Sequence, residues 1–239
     1  MNNPLNKFNG TIQLTAFHYI ACLKIVPTND DGQLRIGDKD YCFQNIKSAS
    51  QRDLHINFQT WAAICTLRDL IENFSIFLME IYDMSIILNP NKSYSSTLSQ
   101  FERCGIERQL EILSKDFSID AAWTSRLTGY NRARNSMAHR AGIISTADIT
   151  EGDELVVRWL NTTISLQDGE ISSVLPAHGP MKDLIQGHHV SGQAASLSIS
   201  DREKRIRLGS ALHFFPDEVL EICQTFSIAA AAFSTLPQQ

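Results

Sequence analysis

Residues 52–88, RDLHINFQTWAAICTLRDLIENFSIFLMEIYDMSIIL, decide the fold class of this chain. Leu67, Ile71, Phe74, Leu78, Ile81 and Leu88 recur at three- and four-residue steps, and Arg68, Asp69, Glu72, Glu80 and Asp83 lie largely on other faces. That spacing is the mark of an amphipathic helix. The stretch is long for one helix, so a break is expected near Asn73-Phe74-Ser75, and Pro90 ends it.

Downstream, Leu98, Phe101, Ile106, Leu110 and Leu113 give the apolar stripe of a helix from about Ser96 to Leu113. Another helix starts after Ser118, with Asp120 in its first turn, and runs to about Ala141, where Gly142 stops it. Upstream, residues 1–10 are polar and expected to be loose. Ile12–Val26 is an apolar run compatible with helix or strand and closed by Pro27. Gln33–Phe43 suggests a small hairpin, with Leu34 and Ile36 facing Tyr41 and Phe43.

Beyond Gly142 the pattern changes. Glu154–Leu166 alternates and is β-branched, as a hairpin or two short strands would be. Ser172–Ser198, rich in Gly, Ser, Pro and His, predicts a long loop. Ser200 followed by Glu203 has the form of a capping box opening a basic helix through Arg207. A last helix is expected from Pro216, a good first-turn residue, to about Ser234. The expected fold is mainly α: an antiparallel helical core over 51–142, an N-terminal extension over 1–50, and a C-terminal extension over 143–239. The C-terminal extension would carry a small β-hairpin region and the terminal helix, packed on the core.

Composition narrows the functional classes. Hydrophobic content of 43% is enough for a sizeable core, which excludes a wholly disordered chain. Five scattered cysteines, odd in number and without a CxxC pair, are neither a disulfide framework nor a zinc set, and predict reduced thiols. No secretory leader or membrane span is legible, so a cytoplasmic protein with no membrane contact is expected. The net charge of −5 argues against a surface that coats nucleic acid. Its distribution is uneven: Ala121–Ala147 carries Arg126, Arg132, Arg134, Arg140 and His139, and no carboxylate. A local basic island can hold a polyanion, because screening confines each field to about 8–10 Å.

On a helical wheel Trp123, Leu127, Tyr130, Met137, Ala138 and Ala141 mark a packed face, and Arg134 falls in its middle. A guanidinium does not give up its proton and is costly to bury alone. It needs an internal carboxylate (Glu72 or Asp69 on the long helix), a second copy of the chain, or a phosphate. Asn135 and His139, four apart, share a flank, and His139 lies about 140° from Arg134. His178, His188 and His189 in the long loop lack supporting ligands at useful spacing, so no metal and no cofactor is expected. There is no G-x-S-x-G elbow and no phosphate-cradling glycine loop.

The hexapeptide Arg134-Asn135-Ser136-Met137-Ala138-His139 resembles the R-N-x(3)-H signature of HEPN domains, and 52–142 agrees loosely with their helical arrangement. The resemblance implies a homodimer in which two motif helices meet at one composite cleft, and metal-independent cleavage of RNA. His139 would be the general acid or base, Arg134 would hold the scissile phosphate, and Asn135 would orient either. Arg132 and Arg140 would contact the RNA backbone, and an earlier-helix polar residue (Glu72, Asp69 or Asn73) would support the motif. A toxin or anti-phage effector, restrained by an antitoxin or sensor protein, is the implied role. A catalytically inactive module that dimerises or binds RNA or protein is the alternative. Tyrosine does not follow the histidine here, where Arg140 and Ala141 stand, which disfavours the toxin subclass modified at that position.

Overall fold

The structure is a computed structural model that describes residues 3–25, 33–36, 39–42, 48–166, 169–171 and 195–238, with side chains placed over 3–23, 56–162 and 198–238. Its helices are α1 (Pro4–Ile25), α2 (Ser48–Leu88), α3 (Leu98–Glu102), α4 (Ile106–Asp116), α5 (Ala121–Arg140) and α6 (Pro216–Phe233). Its strands are β1 (Gln33–Ile36), β2 (Lys39–Cys42), β3 (Glu154–Leu166), β4 (Gly169–Ile171) and β5 (Ala195–Arg207). The protein is mainly helical, with a two-stranded antiparallel hairpin, a three-stranded sheet ordered β4-β3-β5, and a C-terminal helix.

Helix α2 is the axis of the molecule and runs through Asn73-Phe74-Ser75 without the expected break. Tertiary packing overrides the local weakness. Phe74 is fully buried and meets Phe8 of α1, and Phe226 and Phe233 of α6, at centroid separations of 5.4–5.6 Å in edge-to-face geometry. Asn73 Nδ2 donates to the Asp69 carbonyl at 2.7 Å, so its amide follows the helix instead of competing with it.

The amino terminus also departs from expectation. Helix α1 begins at Pro4, whose missing N–H costs nothing at that position, and Asn3 Oδ1 accepts from Leu5 N at 3.0 Å. Phe8 is buried against Phe74 and Phe77, and Lys7 pairs with Glu80. The polar opening stretch is therefore ordered by contacts that lie some 70 residues away in sequence. The hairpin places Leu34 opposite Tyr41 and Ile36 opposite Lys39; Phe43 lies outside the described residues.

The helix expected over Ser96–Leu113 is two helices. Thr97 and Gln100 form a capping box at α3, and α4 restarts behind an extended Gly105 (φ −71°, ψ 162°). Buried Gln109 bridges the break: it accepts from Ser75 Oγ at 2.8 Å and donates to the Phe101 carbonyl at 3.4 Å.

Glu154–Leu166 is one strand of 13 residues, neither a hairpin nor two strands. Ala195–Arg207 is its antiparallel partner over the full length, which overturns the basic helix expected from Ser200 and Glu203. Alternation satisfies the charges: Arg202 and Lys204 reach Glu221 and Glu218 of α6, while Glu203 and Arg205 sit on the other face with Arg158, Glu151 and Glu154. A capping box is a local preference, and thirteen paired rungs outweigh it. Residues 172–194, with His178, His188 and His189, lie outside the described residues.

One buried cluster takes side chains from α1, α2, α3, α4, α5, β3, β5 and α6. Within it Trp159 Nε1 donates to Glu221 at 2.6 Å, and Thr225 Oγ accepts from Leu160 N at 2.9 Å, so α6 is tied to β3. Pro216–Gln238 is long and apolar enough to cross a membrane by length and composition, but its apolar side chains are largely spent on this core. Burial pushes the Cys223 thiol up to about 12, which keeps it protonated at neutral pH. No disulfide joins the described cysteines.

Candidate functional site

Helix α5 carries the motif. Asp120 caps it by accepting from Ala122 N at 2.8 Å. It ends with Ala141 at φ 50° and Gly142 at φ 82°, and a Cβ on Gly142 would stand 2.9 Å from the Leu212 carbonyl oxygen. Glycine is required there on both counts.

The packed face of α5 differs from the wheel expectation. Leu127, Gly129, Tyr130, Ala133, Ser136 and Met137 are buried, whereas Ala138, His139 and Ala141 are exposed. The cause is the sheet: β3 approaches so closely that a Cβ on Gly129 would lie 3.0 Å from the Val156 carbonyl oxygen. That covers a side the wheel assigned to solvent. Arg134 is thereby moved from the middle of the buried face to its edge, where it is half-buried.

Arg134 donates from Nη1 to Asn135 Oδ1 at 2.9 Å, and its Nε is buried without a hydrogen-bond partner. Among the described residues it makes no ion pair with a carboxylate. Glu72 lines the same cleft without pairing with it. Asp69 lies 3.4 Å from Arg68 and its carbonyl accepts from Asn73, and neither Asp69 nor Asn73 lines the cleft. Of the three polar residues considered on α2, only Glu72 is placed beside the motif arginine.

The cleft around Arg134 has a volume of about 660 Å³. Ile71, Glu72, Ser75 and Ile76 of α2 form one wall, the first turn of α4 with Gly105 before it forms another, and Asn131, Arg134 and Asn135 form the third. Gly105 gives the first turn of α4 no side-chain cap, and the Glu107 carboxylate in that turn offsets its positive dipole end, so Arg134 shares the cleft with Glu72 and Glu107. His139 lines an adjoining depression of about 300 Å³ with Arg132, Arg140, Ala147 and Asp148. Asn135 and Glu107 belong to both and form the divide between them. Five residues along a helix separate Arg134 from His139, about 7.5 Å of rise.

The remaining arginines of the basic island are engaged within the chain. Arg132 donates to the Ile149 carbonyl at 2.6 Å and the Ala147 carbonyl at 3.3 Å, with its Nε 3.6 Å from Glu107. Arg140 pairs with Asp148, a buried carboxylate that also accepts from Ser145 N at 2.8 Å and Ser145 Oγ at 2.7 Å. Both hold the loop after α5 against the motif helix. Arg126 pairs with Asp201 and lies 5.1 Å above the Trp123 ring.

Two site residues carry no sequence signal. Glu107, in the first turn of α4, accepts from Asn131 Nδ2 at 2.9 Å and lines both depressions. It precedes Asn131 by 24 residues, and no periodicity links them. No group of three or more His, Cys, Asp or Glu side chains among the described residues is arranged to hold a metal ion. Compared with family models, curated proteins and solved structures, the chain matches none.

Proposed function

We propose that the chain is a metal-independent endoribonuclease of HEPN type, acting as a homodimer through α5. The reading is carried by one observation: Arg134 faces an open cleft with no carboxylate paired to it among the described residues, beside the depression that holds His139. A guanidinium at such a position fits the non-bridging oxygens of a phosphodiester, which it meets as a rigid fork of donors.

In this mechanism an imidazole of His139 takes the proton of the ribose 2′-hydroxyl, whose oxygen attacks phosphorus. The bond from phosphorus to the 5′-oxygen breaks, and that oxygen takes a proton from a protonated imidazole or water. The products are a 2′,3′-cyclic phosphate and a 5′-hydroxyl. Arg134 stabilises the charge that gathers on phosphorus oxygens, and Asn135 holds the guanidinium through its 2.9 Å contact. His139 is exposed on α5, which leaves it accessible to a partner subunit. Such an activity suits a toxin or anti-phage effector held in check by a second protein.

The test is cleavage of single-stranded RNA in EDTA by purified wild type, Arg134→Ala and His139→Ala. Wild type cuts, a 2′-deoxy nucleotide at the cleaved position stops it, and each variant is inactive yet folded. Mixing the two variants under subunit exchange restores part of the activity if arginine and histidine act from different chains. Unchanged cleavage in both variants would end the proposal. The acids Glu72 and Glu107 at the cleft favour a second reading, a catalytically inactive module that dimerises or binds RNA or protein. RNA binding without cleavage supports it.

A further inference from the structure

We infer that the cleft beside Arg134 is a guanine pocket, which would make the chain selective for the nucleotide that carries the contacted phosphate. This deepens the ribonuclease reading of the same cleft and rests on it for the source of the guanine. The shape is suitable: about 660 Å³ lies within the roughly 300–1,000 Å³ of small-ligand sites, enough for one nucleotide. Ile76 is 45% exposed although its neighbours at the cleft, Ile71 and Ile106, are buried, so it presents an apolar surface against which a flat base can lie. Gly105 opens the mouth: a Cβ added there meets nothing within 4 Å.

The polar edge is specific. Glu107 Oε1 accepts from Asn131 Nδ2 at 2.9 Å, and no described residue donates to its Oε2. The Asn131 contact and the Arg132 guanidinium, whose Nε lies 3.6 Å from Oε1, hold the carboxylate at the cleft wall and leave Oε2 as an acceptor beside Oε1. A carboxylate offers two adjacent acceptors and no donor. Guanine alone among the four RNA bases presents two adjacent donors, N1–H and N2–H, on its pairing edge. Adenine and cytosine place a ring-nitrogen acceptor next to the amine, and uracil flanks its single N–H with carbonyls; each sets an acceptor against the carboxylate. With the phosphate at Arg134, the apolar wall, the carboxylate and the guanidinium match base face, base edge and phosphate in turn.

A guanine nucleotide within RNA and a free one share this chemistry, and the test separates them. Titration of the full chain with 3′-GMP, 3′-AMP, 3′-CMP and 3′-UMP, followed calorimetrically, should show 3′-GMP tightest by about tenfold or more, as expected for hydrogen bonds to a charged group. Glu107→Gln should weaken 3′-GMP by about tenfold and leave 3′-AMP unchanged. Gly105→Phe fills the mouth from an extended, exposed position without backbone strain and should abolish 3′-GMP binding with an unchanged melting temperature. Equal affinity for all four nucleotides, or 3′-GMP binding untouched by Gly105→Phe, overturns the inference. On RNA, cleavage should map to guanosines. Guanine selectivity without any cleavage keeps the pocket and sinks the ribonuclease reading; cleavage without base preference or 3′-GMP selectivity does the reverse.

Discussion

The two sides of α5 treat their arginines differently. Toward the sheet and the following loop the arginines are engaged: Arg126 has Asp201, Arg140 has Asp148, Arg132 has the Ala147 and Ile149 carbonyls, and on the sheet itself Arg158 has Glu151 and Glu203 and Arg202 has Glu221. Toward α2 and α4, Arg134 has an amide oxygen from its own neighbour and an open cleft. Compensated guanidinium groups cross-link elements and contribute stability, whereas an uncompensated one at a concave site keeps its binding capacity for a ligand. The local charge island was visible in composition, but which of its members was uncommitted was not.

The comparison breaks if both sides respond alike to truncation. On the proposed ribonuclease reading, Arg134→Ala and His139→Ala should each lower RNA cleavage by about 100-fold or more, the range of a lost general acid–base or a lost charge-stabilising donor. Urea denaturation of Arg134→Ala should show stability within about 0.5 kcal/mol of wild type, because no ion pair is lost. On the other side Arg140→Ala strands Asp148, which is 2% exposed, with only Ser145 for company. A loss of about 2–3 kcal/mol in the same denaturation is expected. Equal losses in both variants would show that Arg134 is structural too.

Smaller effects sharpen the contrast. Arg126→Ala should cost roughly 1 kcal/mol, since Asp201 is 69% exposed and the stacking on Trp123 contributes modestly. The least effect concerns pH. Hydrogen bonding from Arg158 holds the Glu151 carboxyl below its usual range, and hydrogen bonding from Arg205 does the same for Glu203. A depressed folded-state value means that this stabilisation is present above the unfolded value and is lost as pH falls through the folded one. The urea midpoint of wild type should therefore fall on acidification below the ordinary carboxylate range, and Arg158→Ala should show a shallower fall.

Glu107 shows why part of the site escaped the sequence. A helical stripe is written in three- and four-residue spacing, so α2, the start of α5 and Gly142 as its stop could all be read locally. Glu107 and Asn131 are joined only because α4 packs across α5, and their types are ordinary for exposed positions. The sheet is hidden from local spacing for the same reason. Ser200 and Glu203 have the local form of a helix start, and only the thirteen-rung pairing with β3 reveals alternating charges that each find a partner. Arg132 and Arg140 are bonded to the loop after α5, a contact that depends on how that loop returns and that spacing along the chain does not show.

Sequence alone determined that this is a mainly helical protein, with a long amphipathic helix, a capped motif helix stopped at Gly142, and a proline-started terminal helix. Those features follow from backbone geometry and from side-chain spacing within a few residues. Tertiary structure decided which face of α5 is buried, whether α2 continues through Asn73-Phe74-Ser75, and that Glu107 stands between the arginine and histidine depressions. Each of those depends on surfaces brought together from distant parts of the chain, where packing and charge compensation outweigh local preference.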